Sequence, residues 1–87
     1  MGEWIETDLK GKEIGRWDFK AGRSLLAFTE SGALYGQEHD VAIFDRSSHS
    51  WRPVAEMPNG ILLGADGNSL VFYLKDGSTV RWVPVSQ

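Results

Sequence analysis

Turn signals recur every eight to ten residues along this chain, and they separate short runs rich in β-branched and aromatic residues. No window of a dozen residues carries apolar positions at helical spacing without an intervening glycine. The spacing therefore predicts an all-β chain that folds as an antiparallel meander. The runs predicted as strands are 4–7, 14–19, 24–29, 33–37, 41–45, 50–54, 61–64, 69–74 and 79–84.

Four residues carry the clearest local predictions. Asp76 and Gly77 lie between β-rich flanks and predict a type I′ hairpin turn, in which both central residues have positive φ. Asp45 is expected to close a turn by accepting hydrogen bonds from backbone N–H groups about two residues further on. Pro53 predicts an outer strand, because proline donates no hydrogen bond to a sheet ladder.

Two stretches of the chain look like copies of two others. The segment LLAFTESGALY (25–35) aligns without a gap with ILLGADGNSLV (61–71). The segments DRSSHSW (45–51) and DGSTVRW (76–82) both place Asp six residues before Trp, and the second copy is about five residues shorter between its two segments. The pattern divides a single domain, 1–87, into approximate repeat units 4–40 and 41–87.

Tryptophans mark the same period. Trp17, Trp51 and Trp82 are 34 and 31 residues apart, which is a spacing typical of repeat architectures such as propellers. We expect these three side chains to pack between neighbouring sheets, because one buried Trp removes roughly 150–250 Å² from water. Trp4 falls outside this register and is the candidate for an exposed aromatic.

The segment FDRSSHSWRPVAEMP (44–58) resembles the outer hairpin of kelch β-propeller repeats, with an aromatic-Asp pair, a polar turn, a Trp and a Met-Pro pair. The resemblance implies two propeller-like blades, in which Asp45, Asp76 and Gly77 form turns and the three register tryptophans pack. Two four-stranded blades need eight strands, one fewer than the nine predicted runs.

Two blades cannot close a ring, because propellers typically have four to eight. A chain of 87 residues without cysteine is also short for hiding its own sheet faces. We therefore expect a homo-oligomer, with a trimer favoured because three chains would complete six blades.

Composition limits the partners. The net charge is −3 and the nine Lys and Arg residues are scattered, so no nucleic-acid partner is expected. No apolar run approaches the roughly 20 residues that span a bilayer, and no signal peptide is visible, so we expect no membrane partner and a cytoplasmic location. With two histidines and no cysteine, neither a metal site nor a cofactor is predicted.

No catalytic residue is predicted, and the sequence favours a non-catalytic binding or interaction module that takes an unknown protein or small polar ligand. Candidate contacts for stacking or polar recognition are Trp4, Arg16, Arg52 and Arg81. Three alternatives stay open. They are a lectin-like assembled ring, a hydrolase or lyase with sites shared between subunits, and a small monomeric β-barrel or sandwich.

Overall fold

The structure is a computed structural model, and it describes residues 3–18 and 23–84, without the side chains of Trp17 and Asp18. The described chain is all-β, as predicted, and its strands follow the turn signals closely. The strands are β1 (Glu3–Thr7), β2 (Glu13–Asp18), β3 (Leu25–Phe28), β4 (Leu34–Gln37), β5 (Val41–Asp45), β6 (Ser50–Pro53), β7 (Gly60–Asp66), β8 (Ser69–Leu74) and β9 (Thr79–Trp82).

These strands form three antiparallel sheets, and within each sheet consecutive strands pair with each other. The first sheet is the two-stranded hairpin β1–β2, the second has the order β3-β4-β5-β6, and the third has the order β7-β8-β9. The expectation of two four-stranded sheets is therefore wrong for the C-terminal part, where one strand is missing. The predicted unit boundary after residue 40 falls between β4 and β5, which pair with each other.

The loop between β8 and β9 corrects the predicted turn type. Gly77 has φ +89°, whereas Asp76 is not among the residues with positive φ, so the two do not form a type I′ turn. Leu74 N–H donates to Ser78 O (2.9 Å) and Gly77 N–H donates to Leu74 O (3.0 Å). This is the three-residue loop in which glycine takes the left-handed position after a type I turn. The same bonds close the β1–β2 loop at Asp8–Lys12 and the β3–β4 loop at Thr29–Ala33.

The Asp45 turn is confirmed. One carboxylate oxygen of Asp45 accepts hydrogen bonds from the backbone N–H of Ser47 (2.9 Å) and from its hydroxyl (2.6 Å). Asp76 and Ser78 repeat this arrangement with the same two distances. The two segments thus share the Asp–Ser hydrogen bonds, although Asp45 is the last residue of β5 and Asp76 lies in the three-residue loop after β8.

The main core lies between the four-stranded and three-stranded sheets. Buried apolar side chains line it from both sides, namely Ala27, Tyr35, Val41, Leu62, Leu70 and Phe72. Gln37 of β4 joins the two sheets at one end: its amide nitrogen donates to Gly60 O (2.9 Å) and its amide oxygen accepts from Leu62 N–H (2.8 Å). At the other end the β3–β4 and β7–β8 loops are joined, because Glu30 N–H donates to Gly67 O (2.8 Å).

A second apolar cluster covers the other face of the four-stranded sheet. Leu34 and Phe44 are buried there, and Trp4 from the hairpin packs against them together with Leu26 and Trp51. The molecule is therefore a stack of three layers. The hairpin lies on one face of the four-stranded sheet and the three-stranded sheet lies on the opposite face.

The register tryptophans of the two larger sheets pack as expected, each on the side of its sheet that faces the preceding layer. Trp51 lies in the cluster on the hairpin side, with its ring 5.2 Å from Phe44 in an edge-to-face arrangement, and Trp82 lies in the core between the two sheets. The backbone of Trp17 pairs with Trp4, while its predicted side-chain packing lies outside the described residues.

Candidate functional site

The residues predicted from sequence as ligand contacts do not form one site. Arg16 lies on the hairpin, Arg52 on β6 and Arg81 on β9, so the three belong to different sheets. Arg16 forms ion pairs with Glu3 and Glu13, both at 2.6 Å. Arg81 forms an ion pair with Asp66 at 2.6 Å.

Trp4 is not the exposed aromatic that its position in the sequence suggested. Its side chain is half-buried against Leu34 and Phe44 of the four-stranded sheet. The hairpin is also held by an ion pair of two parallel hydrogen bonds: Arg46 donates through Nε and an Nη to the two carboxylate oxygens of Glu6, both at 2.9 Å.

Two apolar surfaces are uncovered in the part of the chain that the structure describes, and the sequence predicted that such sheet faces would be covered by copies of the chain. The first, which we call the hairpin groove, is a cavity of about 340 Å³ between β1 and strands β3 and β4 of the four-stranded sheet. Its lining residues are Trp4, Ile5, Glu6, Thr7, Leu26, Phe28 and Leu34. Phe28 is 50% exposed there, with the Arg46 guanidinium 5.6 Å from its ring centre.

The second surface, which we call the outer face, is the side of the three-stranded sheet that turns away from the core. It is formed by Ile61, Leu63, Val71 and Tyr73, and all of these except half-buried Val71 are exposed. Leu63 is 58% exposed and lies at a bulge, where the β7–β8 register shifts between Leu62 and Gly64. A bulge places an extra residue on one strand, and here that residue enlarges the apolar surface.

A third feature is a polar cleft of about 310 Å³ between the β4–β5 and β6–β7 loops. Its rim carries His39, Asp40 and Asn59, and its remaining lining is Gln37, Val41, Val54, Met57, Pro58 and Gly60. Arg23 donates a hydrogen bond of 2.9 Å to the Asp40 carboxylate, which lowers the pKa of that carboxyl below its usual value. None of the described lining residues is Trp, Tyr or Phe, so the cleft lacks the ring on which a sugar would stack.

Within the described residues, no group of three or more His, Asp or Glu side chains is arranged to hold a metal ion. The same part of the chain contains no helix that is long and apolar enough to cross a membrane. No family model, no curated protein and no solved structure matches this chain. The two apolar surfaces are therefore the features of the described chain from which a function can be argued.

Proposed function

We propose that this chain is a non-catalytic interaction module that associates with copies of itself through its two uncovered apolar surfaces. The outer face of one copy enters the hairpin groove of the next, so that the stack of sheets continues from chain to chain. The proposal includes propeller-like closure of this stack into a ring, with a trimer favoured.

The repeat within the chain carries the proposal. In the alignment of 25–35 with 61–71, Ala27 corresponds to Leu63 and Tyr35 to Val71. Ala27 and Tyr35 are each 3% exposed, because the three-stranded sheet covers them. Their counterparts in the three-stranded sheet face the same way along the stack, yet no further layer of the described chain covers them. The repeat thus predicts a layer on the outer face.

The alignment also supports the orientation of the contact. Leu26 and Leu34 lie on the hairpin side of the four-stranded sheet, and their counterparts Leu62 and Leu70 lie on the core side of the three-stranded sheet. Each repeat therefore presents the same face to the layer before it. A second copy that docks with its groove on the outer face continues this order of faces.

The hairpin covers only part of the face on which it lies. Trp4 reaches the cluster around Phe44 and Trp51, while the cavity above Leu26 and Phe28 stays open. A two-stranded layer is narrower than a four-stranded sheet, so part of this face stays open beside β1, and an incoming sheet would cover it. Burial of such apolar surface contributes about 25 cal/mol per Å² before the costs of association.

The contact joins two different surfaces, so it is heterologous, and it builds either a ring or an open filament. With two large sheets in each chain, rings of two, three or four chains fall within the four to eight blades of known propellers. Three chains give six sheets.

The molar mass in solution, measured by light scattering, tests the proposal. We expect three times the 9.7 kDa mass of one chain. The Leu63→Glu variant should reduce the mass to that of one chain, because it places a charge on the apolar contact without altering the internal core. Leu9→Glu is the matched control, because Leu9 is fully exposed in the β1–β2 loop and lies on neither surface.

A single folded chain at every concentration would reject the proposal and leave the small monomeric β-sandwich as the better description. An oligomer that withstands Leu63→Glu would place the contact elsewhere on the molecule.

A further inference from the structure

The two larger sheets end in edge strands that differ in one respect. The last strand of the four-stranded sheet, β6, contains Pro53, which pairs with Ala42. Val54 N–H donates to Val41 O (3.2 Å), which makes the neighbouring pair hydrogen-bonded. Because such pairs alternate along an antiparallel ladder, Pro53 lies at a position whose N–H would point away from the sheet. Proline therefore removes a donor from the free edge without breaking the ladder.

The last strand of the three-stranded sheet, β9, has no such protection. Leu74 N–H donates to Ser78 O, and the same alternation makes Phe72–Val80 and Leu70–Trp82 the hydrogen-bonded pairs. The N–H and C=O groups of Thr79 and Arg81 then point to the free edge. No proline lies within β9, and Pro84 comes after its last residue. In the described chain β9 pairs with β8 alone.

A charged residue often protects a free edge, but here that charge is compensated. The Arg81 guanidinium lies 2.6 Å from a carboxylate oxygen of Asp66 within the same sheet. An approaching strand would therefore meet a neutral ion pair rather than an isolated cation. The edge of β9 remains a template for one more strand.

We infer that the β9 edge accepts a strand of the β1–β2 hairpin from a second copy of this chain. The inference rests on the proposed function, because in that assembly the hairpin of one copy and the three-stranded sheet of its neighbour cover the same face of a four-stranded sheet. They therefore lie side by side in one layer. Both strands of the hairpin are edges, and each can add to β9 through backbone hydrogen bonds.

The exposed residues of the hairpin agree with this placement. Ile14 of β2 is 60% exposed, and Ile5 of β1, which also borders the hairpin groove, is 50% exposed. In a layer shared with β9, one side of the hairpin faces the four-stranded sheet of its own chain. The opposite side of the hairpin would then face the four-stranded sheet of the neighbouring copy. Strand addition then covers part of the apolar surface that a lone hairpin leaves in water.

Arg81→Pro tests the inference by giving β9 the protection that β6 has. Proline at this position removes an outward N–H and leaves the β8–β9 bonds intact, so the variant should fold. Arg81→Ala is the matched control, because it loses the same ion pair with Asp66 but keeps the N–H. We expect Arg81→Pro to lose the oligomer in light scattering, while Arg81→Ala keeps it.

Hydrogen exchange of the unmodified protein gives a second readout. The amides of Thr79 and Arg81 should be protected in the oligomer and should lose that protection on dilution to single chains. If the oligomer forms but these amides exchange freely and Arg81→Pro leaves its mass unchanged, strand addition is overturned while the stacking proposal stands. If the wild-type chain does not associate at all, both fall.

Discussion

The four-stranded and three-stranded sheets each contain two corresponding hairpins, but the hairpins are joined differently in the two sheets. In the first sheet the inner hairpin β3–β4 and the Asp45 hairpin β5–β6 are separate, and a turn at 38–40 connects them. In the second sheet the inner hairpin β7–β8 and the Asp76 hairpin β8–β9 share one strand. A difference of about five residues in the sequence, one strand length, thus removes one strand from the sheet.

Coverage is the second difference between them. The four-stranded sheet has a layer on each face and buries Ala27 and Tyr35 on one side and Leu34 and Phe44 on the other. The three-stranded sheet buries one face only. The two sheets therefore differ in how much apolar surface stays open to a partner. The cause is their position, because one sheet lies in the middle of the stack and the other lies at its end.

Large apolar side chains packed between the layers should show the largest effect. Phe72 is fully buried between the sheets, and Phe72→Ala should lower the free energy of unfolding by about 3–5 kcal/mol. Trp51→Ala should cost less, about 3 kcal/mol, because Trp51 is only half-buried on the hairpin side. Urea denaturation of both variants measures the difference.

Both variants remove packing within one chain, so they test folding rather than assembly. Phe72 lies inside one chain, so its loss should lower stability at every protein concentration. Equal or reversed costs would show that the hairpin side, rather than the space between the sheets, holds the main core.

A change at Gly36 should have an intermediate effect on stability. Gly36 pairs with Leu26 in the four-stranded sheet, and the corresponding pair of the three-stranded sheet is Phe72 with Leu62. The Trp51 ring lies over Gly36, and a Cβ there would come within 2.8 Å of the ring and of the Arg23 Cβ. Gly36→Ala should therefore cost about 1–3 kcal/mol, since the packed ring has to shift.

A double-mutant cycle with Trp51→Ala is the control for this prediction. Most of the penalty should vanish when the ring is absent, and the part caused by Arg23 should remain. Full additivity of the two changes would show that the ring does not limit the space at Gly36.

Local features of this fold were predictable from the sequence, because they depend on neighbours in the chain. Turn residues marked the nine strands, the Asp45 turn follows from its own carboxylate, and Pro53 predicted an outer strand that the structure confirms. The turn type at Asp76-Gly77 was wrong, because the glycine alone takes the left-handed position in a three-residue loop.

Features that join distant segments were not predictable. Gln37 ends a short strand and reads as a solvent-facing residue, yet its amide bonds the backbone of Gly60 and Leu62 across the sheet interface. The spacing between the two repeated segments is shorter in the second copy, which agrees with one shared strand, β8. The spacing alone does not say which strand of the four-stranded pattern is lost.

The smallest expected effect compares the two Asp turns. Hydrogen bonds from Ser47 and from Ser78 lower the pKa of Asp45 and Asp76 below the usual range. A carboxyl whose pKa is lower in the folded state stabilises the fold above its unfolded pKa, about 3.9, and this contribution disappears as the pH falls through the folded pKa. Asp45→Ala and Asp76→Ala should therefore lower the Tm slightly and by similar amounts at pH 7, and by less once the pH has fallen through the folded pKa of each carboxyl. Asp→Asn at each site keeps one acceptor oxygen without the charge, so its effect at pH 7 should be smaller than that of Asp→Ala and should shrink as the pH falls. A clear difference between the two sites would mean that the turns, despite equal distances, are not equivalent in the folded chain.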